Sequence, residues 1–220
     1  MSRKQTRGVA IMEFSFIMLL MVPLLLGTVE IGLNMVNTLQ TVQLARDAGH
    51  MYARGVDFKL AGNLQILASL GAGAGMSAST GAGQGNARLI LSQLRYIDKA
   101  TCLADPGMAK DGGGNPIGCT NMGQWAFAER IAIGNSSMRV SNFGNPTGAV
   151  TIAADGSITM DQQCRISGDQ ASFGVTATKI YGNVTGLPSG QVLFIAEAEA
   201  IGFKMAPFAN NPMTYSYGIF

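Results

Sequence analysis

Three cysteines and two glutamates have types and positions that could carry chemistry in this chain. Cys102, Cys119 and Cys164 form no CxxC pair, and the chain has a single histidine, so the sequence predicts no structural zinc site and no other metal. In an exported domain, three cysteines give one disulfide and one leftover thiol. We prefer Cys102–Cys119, which closes a loop rich in Gly and Pro. Cys119–Cys164 is the competing pair, and three free thiols are the third possibility.

Glu13 and Glu30 interrupt an apolar segment that begins at Val9. The residues between them, 14–29, carry no charge, and as a helix they would span about 24 Å. A bilayer core of about 30 Å needs about 20 residues, so the segment crosses a membrane only if residues 9–12 or 31–36 contribute. A glutamate therefore lies at or inside the membrane boundary, where a carboxylate is costly and is usually functional or paired.

The charges of the N-terminus predict an orientation for this segment. Arg3, Lys4 and Arg7 lie among the first eight residues, which contain no acid, so this end should stay in the cytoplasm and the chain after about Val36 should lie outside. Without these three charges the net charge of +2 becomes −1, which leaves no basic excess for nucleic acid. A cleaved secretory signal is the alternative, but Glu13 interrupts its apolar core early and no A-x-A site follows.

Helical periodicity continues beyond the apolar segment. Apolar residues recur near helical spacing as far as Tyr52, with polar residues between them. The pattern predicts one nearly continuous helix over residues 9–54, kinked near Pro23 and ended by Gly55. Residues 55–86 form a Gly/Ala-rich connector, with a short helix at residues 60–70 and a flexible loop at residues 71–85.

Residues 87–220 are predicted to be a strand-rich domain. Turn signals at Gly134-Asn135 and Asp155-Gly156 separate several of its strands, and the tail from Ala206 is predicted to be a loop. The predicted strands are residues 88–97, 125–133, 137–143, 149–153, 157–160, 174–181 and 191–203. In the last of these, one face is apolar throughout and the other is apolar at one end and acidic at the other. The fold class is therefore α+β: a long N-terminal membrane-spanning helix followed by a mainly antiparallel β-sheet domain.

Residues 7–14, RGVAIMEF, resemble a type IV prepilin processing site. A short basic leader ends in Gly8, apolar residues begin at Val9, and Glu13 is the fifth residue after the expected cut. Downstream, PLLLG at residues 23–27 and EIG at residues 30–32 are similar to the TadE-like branch used by tight-adherence (Tad) pili.

The resemblance implies a structural role and no enzymatic activity. Residues 1–8 would be a prepilin-type leader that a prepilin peptidase removes between Gly8 and Val9. The product would be a pilin-like or minor pseudopilin subunit, anchored in the bacterial inner membrane with its C-terminal domain in the periplasm, and later part of an extracellular pilus. The implied partners are other pilin subunits and inner-membrane pilus platform proteins, with no cofactor.

The resemblance also implies which residues act in assembly: Val9, Glu13, Phe14, Pro23 and Glu30. The Glu13 carboxylate would pair with the α-amine of Val9, in a neighbouring copy or in its own chain, which cancels two charges in a low-dielectric core. Pro23 removes one helix hydrogen bond and would loosen the helix as it leaves the bilayer. For Glu30, a second assembly contact and a boundary position are both open.

Two other functions remain open from the sequence. One is an uncleaved, signal-anchored pilus assembly factor. The other is a tethered periplasmic hydrolase or glycan-binding adhesin, which needs a cleft with convergent polar groups in residues 87–220. Asp105, Asp111 and Asn115 share a Gly-rich loop and carry oxygen ligands suited to calcium, although their spacing does not match a calcium-binding loop. His50 belongs to no motif, and we expect it to face solvent or the body.

Overall fold

The protein consists of one long helix and a β domain. The structure, a computed structural model, describes residues 5–172, 189–205 and 212–220, with side chains from residue 9 onward. Helix α1 (Gln5–Ala53) has 49 residues, and a mainly antiparallel sheet follows it. The predicted α+β fold class is therefore confirmed. The predicted strand at residues 174–181 lies outside the described residues, as does the part of the tail at residues 206–211.

Helix α1 continues through Pro23 without a break and ends close to the predicted position. The chain leaves the helix at Gly55, whose φ of 81° is a left-handed conformation that glycine adopts without steric cost. The Gly55 N–H donates to the carbonyl of Tyr52 at 2.9 Å. At 1.5 Å per residue α1 is about 73 Å long, more than twice the thickness of a bilayer core.

Four elements of ten residues and several shorter ones follow α1. In chain order they are α2 (Ala61–Leu70), β1 (Ala87–Tyr96), α3 (Lys99–Ala104), β2 (Ala109–Lys110), β3 (Pro116–Ile117), β4 (Trp125–Gly134), α4 (Met160–Arg165), β5 (Val192–Ile201) and β6 (Met213–Ile219). The main sheet has the order β4-β1-β5-β6, and all of its pairs are antiparallel.

One face of the sheet packs against α1. In the register, Leu89 of β1 lies opposite Ile133 of β4 and Ala198 of β5, so these side chains share a face. β5 contributes a row of alanines to it, and α1 contributes Ala45 and Ala48, all fully buried. Small side chains on both surfaces let the helix backbone come close to the sheet. Larger side chains fill the margins of this interface: Leu44, Tyr52, Phe58 and Leu67.

The opposite face of the sheet is covered by residues 137–172, a segment that is largely irregular apart from α4. Apolar residues, among them Phe143 and Ile158, pack on one end of it. At the other end the buried Glu197 carboxylate accepts hydrogen bonds from the Ser141 hydroxyl, the Asn142 N–H (2.9 Å) and the Tyr215 hydroxyl (2.6 Å). The acidic end of β5 therefore holds this covering segment in place.

Burial shifts the pKa of several groups in this layer. Burial, together with the neighbouring Glu197 carboxylate, raises the pKa of Tyr215, and burial lowers the pKa of Arg130 to about 10. Asp169 is fully buried, and within the described part of the chain its carboxylate oxygens have no hydrogen-bond partner. Burial raises the pKa of Asp169 to about 8, so this carboxyl group is mostly protonated at neutral pH.

Several strand predictions are confirmed and several are wrong. β1, β4, β5 and α2 lie where the sequence placed them. Residues 137–143 and 149–153 form no ladder, and the Glu197 and Glu199 carboxylates hold the first of these segments. Residues 157–160 form only one isolated bridge, in which Ser157 lies opposite Glu129 of β4. The turn at Asp155-Gly156 does form, with the Ala153 N–H donating to the Ser157 carbonyl at 2.9 Å. The prediction that the tail from Ala206 is a loop is wrong at β6. The Pro and Asn residues before β6 favoured a loop over a strand.

The C-terminal Phe220 docks against α1 and provides a test of this packing. Its backbone pairs with Phe194 (N to O 2.9 and 3.1 Å), and its ring lies 4.6 Å from the His50 ring, edge to face. A Cβ atom at Gly49 would clash with one edge of the Phe220 ring, whereas a Cβ atom at Gly32 would meet nothing within 4 Å.

We expect Gly49→Ala to destabilise the protein although alanine favours helix by about 1 kcal/mol. Displacing the Phe220 ring costs about 1–3 kcal/mol, so the net loss should lower the melting temperature by several degrees. Thermal unfolding in detergent, followed by the fluorescence of the single tryptophan, Trp125, measures this. Gly32→Ala is the matched control and should cause no decrease. Equal melting temperatures for the two variants would contradict the packing.

Candidate functional site

The first half of α1 is exposed to its surroundings along its whole length. No side chain in residues 9–29 is buried. These 21 residues span about 31 Å as a helix, which matches a bilayer core of about 30 Å. Over the described residues α1 is the one helix long and apolar enough to cross a membrane. It is therefore a candidate membrane anchor.

Most of the residues predicted to act in assembly lie on this exposed half. Val9 and Phe14 are each nearly 60% exposed, and Glu13 and Pro23 are also exposed. No hydrogen bond or ion pair joins Glu13 to another described side chain. Gly8 lies within the first turns of α1, so a peptidase that cuts after it must first unwind the helix locally.

Glu30 is the first buried residue of α1. It is 2% exposed, and its Oε1 accepts a hydrogen bond from the Met205 N–H at 3.0 Å. Its Oε2 is buried without a partner among the described residues. The Glu30 carboxylate therefore binds its own domain just after β5.

Two further polar residues of α1 hold the same region of the domain. The Asn37 side-chain amide donates to the Ile201 carbonyl at 3.2 Å, and the Thr41 and Thr214 hydroxyls are 3.0 Å apart. We call Glu30, Asn37 and Thr41 the polar clamp, because together they fix the end of β5 and the start of β6 against the helix. Sequence analysis missed Asn37 and Thr41, although their spacing from Glu30 follows one helix face.

A second apolar face of α1 continues beyond Glu30 and is left uncovered by the domain. We call it the outer stripe: Ile31, Met35, Leu39 and Val42, which are 70%, 67%, 58% and 44% exposed. Their spacing places them on one side of the helix. The stripe extends the exposed apolar surface by about 17 Å past Glu30. An anchor that only crossed the bilayer would not need this surface.

Glu13 lies in line with the outer stripe. It is 18 residues before Ile31, which is five turns of a helix with 3.6 residues per turn. Gly27 lies between Glu13 and Ile31 in the sequence, and Gly32 follows Ile31. A Cβ atom added at either glycine would meet nothing within 4 Å. The exposed side of α1 therefore combines an acid, small residues and apolar side chains that permit close approach of another helix.

The predicted sites in the domain have partners inside it. Cys102 and Cys119 are joined by a disulfide with a Cα–Cα distance of 6.1 Å, and Cys164 is a buried free thiol. Asp105 pairs with Arg165 at 3.1 Å. Asp111 accepts from Asn115 and from the Gly113 N–H within its own turn. Asp105 and Asp111 thus hold separate contacts and do not converge on a common calcium position.

Removing the Glu30 carboxylate should loosen the domain from α1. We expect Glu30→Ala to lower the free energy of unfolding by about 1–3 kcal/mol, because the Met205 N–H loses its acceptor in a buried place. Glu30→Gln should cost less, since it keeps an acceptor oxygen. Thermal unfolding of the full chain in detergent measures both changes. Glu13→Ala removes an exposed carboxylate and is the control; if its melting temperature fell as far as that of Glu30→Ala, the clamp would carry no stability.

Comparisons with known proteins give one match, which lies within α1. Residues 8–50 match the family model described as TadE, TadE-like protein. No curated protein and no solved structure matches the chain. The matched segment begins at Gly8 and ends inside α1, and it contains both Glu13 and Glu30. The resemblance seen in the sequence is therefore confirmed over residues 8–50: this part of α1 is similar to TadE-like proteins, a family associated with Tad pilus systems.

Proposed function

We propose that this chain is a structural, pilin-like or minor pseudopilin subunit of a Tad-type pilus, anchored in the inner membrane by α1 and assembled through α1. The observation that carries the proposal is the outer stripe, together with the TadE-like match over the same helix. The bilayer accounts for residues 9–29. Another protein surface is needed to cover Ile31, Met35, Leu39 and Val42, since the domain packs on a different face of the helix.

The surface that we assign to the outer stripe is the α1 helix of another subunit. An apolar stripe on a long helix packs well against a second helix of the same kind. These side chains are roughly half exposed or more, so burying each of them contributes on the order of 1 kcal/mol. The contributions add along the helix, while the domain stays on the opposite side and leaves room for neighbours.

Glu13 would fix the register of this packing. After removal of residues 1–8 by a prepilin peptidase, Val9 carries an α-ammonium group with a pKa of roughly 8. The exposed Glu13 carboxylate would pair with that ammonium group on a neighbouring subunit, which removes two isolated charges from an apolar core. The basic residues before Val9 support a cytoplasmic N-terminus and a periplasmic domain. Other pilin subunits and the inner-membrane platform are the partners in this scheme.

A double variant of the outer stripe tests the proposed assembly surface. Met35→Ser with Leu39→Ser should leave the protein in the membrane fraction, because residues 9–29 are intact, and should reduce sheared filaments or sedimentable assemblies at least tenfold. Leu60→Ser with Ile66→Ser is the matched control: it removes two side chains that are also at least half exposed but lie away from α1. Normal assembly by the stripe variant would refute the proposal.

The N-terminus of the assembled protein tests the role of Gly8 and Glu13. We expect protein purified from assemblies to begin at Val9, and Gly8→Leu to leave the leader attached and to prevent assembly. Edman sequencing or intact mass provides the reading, and Gly27→Leu, downstream of the cut, should be processed normally. Full-length chains in the assembled material would instead favour the uncleaved assembly factor.

A further inference from the structure

Three sulfur atoms meet inside the domain, far from the helix surface that serves assembly. The Sγ atoms of Cys102, Cys119 and Cys164 all lie within 4.8 Å of one another. Two of them form the disulfide, and the third is a buried thiol. A thiol this close to both atoms of a disulfide has the arrangement that thiol–disulfide exchange requires, since one sulfur attacks another directly.

The three cysteines differ in how firmly their backbones are held. Cys102 lies on α3, whose first turn is capped by Asp98, and Cys164 lies on α4, capped by Thr159. Both side chains are fully buried. Cys119 is only partly buried and lies in a loop after β3, next to Gly118 with a φ of 84°. The Asn121 N–H bonds to the Cys164 carbonyl at 3.0 Å, which keeps this loop beside α4.

From this geometry we infer that the domain contains a disulfide-exchange site in which Cys119 alternates between Cys102 and Cys164. The Cys164 thiolate attacks the Sγ of Cys119. The Cys119–Cys164 bond forms as the Cys102–Cys119 bond breaks, and Cys102 leaves as a thiolate that takes up the proton lost by Cys164. The step oxidises and reduces nothing overall, so it requires no external electron acceptor.

The two pairings, Cys102–Cys119 and Cys119–Cys164, involve the same three segments: α3, α4 and the loop after β3. The bond in the structure joins α3 to the loop after β3, while the exchanged bond joins α4 to that loop. Closing the second bond requires the sulfurs to approach from at most 4.8 Å to about 2.05 Å. Cys119 is the sulfur that can move, because its loop is the least buried of the three positions. The inference does not depend on the proposed function of α1.

The surroundings of Cys164 set the pH at which exchange becomes fast. Burial raises the pKa of its thiol to about 11, and the Asp105 carboxylate adds to this, as does Asp161 to a lesser extent. Arg165 and Arg95 act in the opposite direction. The thiolate is the attacking form, so the exchange rate should rise about tenfold for each pH unit below that pKa and be slow near neutrality.

Alkylation mapping of the wild-type chain tests this inference without any substitution. The oxidised full-length protein, in detergent with a chelator, is held at pH 6 or pH 9, quenched with acid, alkylated in denaturant and digested with pepsin. At pH 6 we expect alkylation at Cys164. At pH 9 we expect a second population, alkylated at Cys102 and containing a Cys119–Cys164 linked peptide, that appears about a thousand times faster. Alkylation at Cys164 alone under both conditions would overturn the inference.

Serine variants provide an independent reading. Cys102→Ser retains only Cys119 and Cys164, and in a buffer of oxidised and reduced glutathione it should form their disulfide. Cys164→Ser retains the native pair and is the matched control for folding and oxidation. The masses of thiol-blocked, unreduced protein distinguish the states. If Cys164→Ser becomes oxidised while Cys102→Ser, folded to the same melting profile, keeps two free thiols or glutathione adducts, the inference is wrong.

Discussion

The structure depends on one point along α1, where the Glu30 carboxylate accepts the Met205 N–H. Before that point the helix satisfies its backbone internally and presents only side chains to its surroundings, as a membrane requires. After it, one face of the helix is buried under a β domain. One helix therefore has an exposed apolar half, which is a candidate membrane anchor, and a second half that the domain buries on one face. The carboxylate at the junction of the two halves is bound by the domain.

The domain is built so that it covers one side of α1 only. Alanines on β5 and on the helix bring the two surfaces close together, and the polar clamp fixes the end of the sheet nearest the apolar half. On the far side of the sheet, Glu197 holds the covering segment through two hydrogen bonds, from the Ser141 hydroxyl and the Asn142 N–H. The result is a chain whose sheet is covered on both faces while its outer stripe stays open, which is the geometry that helix-to-helix assembly needs.

Periodic features could be predicted from the sequence, and features set by long-range contacts could not. The helix, β1, β4 and β5 follow local patterns of 3.6 or 2 residues. Residues 137–143 also alternate, but they bond to the buried Glu197 and Glu199 carboxylates instead of to a strand, and no local signal reveals that. β6 was not predicted, because Pro and Asn residues separate it in the sequence from β5, the strand with which it pairs.

The candidate functional residues divide in the same way. Glu13 and Glu30 could be identified from the sequence, because a charged residue within an apolar helix is rare. Asn37 and Thr41 could not be identified from the sequence, because their partners Ile201 and Thr214 come close only in the folded chain. The proximity of Cys164 to the disulfide required the packing of α3, α4 and the loop between β3 and β4, which sequence spacing alone does not provide.

The most direct test of the central claim asks what lies against the outer stripe in native membranes. A photoreactive benzoylphenylalanine introduced at Leu39 should crosslink one copy of the chain to another, giving dimers and longer ladders on illumination, while the same group at Ile66 on α2 should give monomers. If the group at Leu39, in protein made and inserted at wild-type levels, gives only monomers, α1 does not pack against a second copy and the account of this protein as an assembly subunit is contradicted.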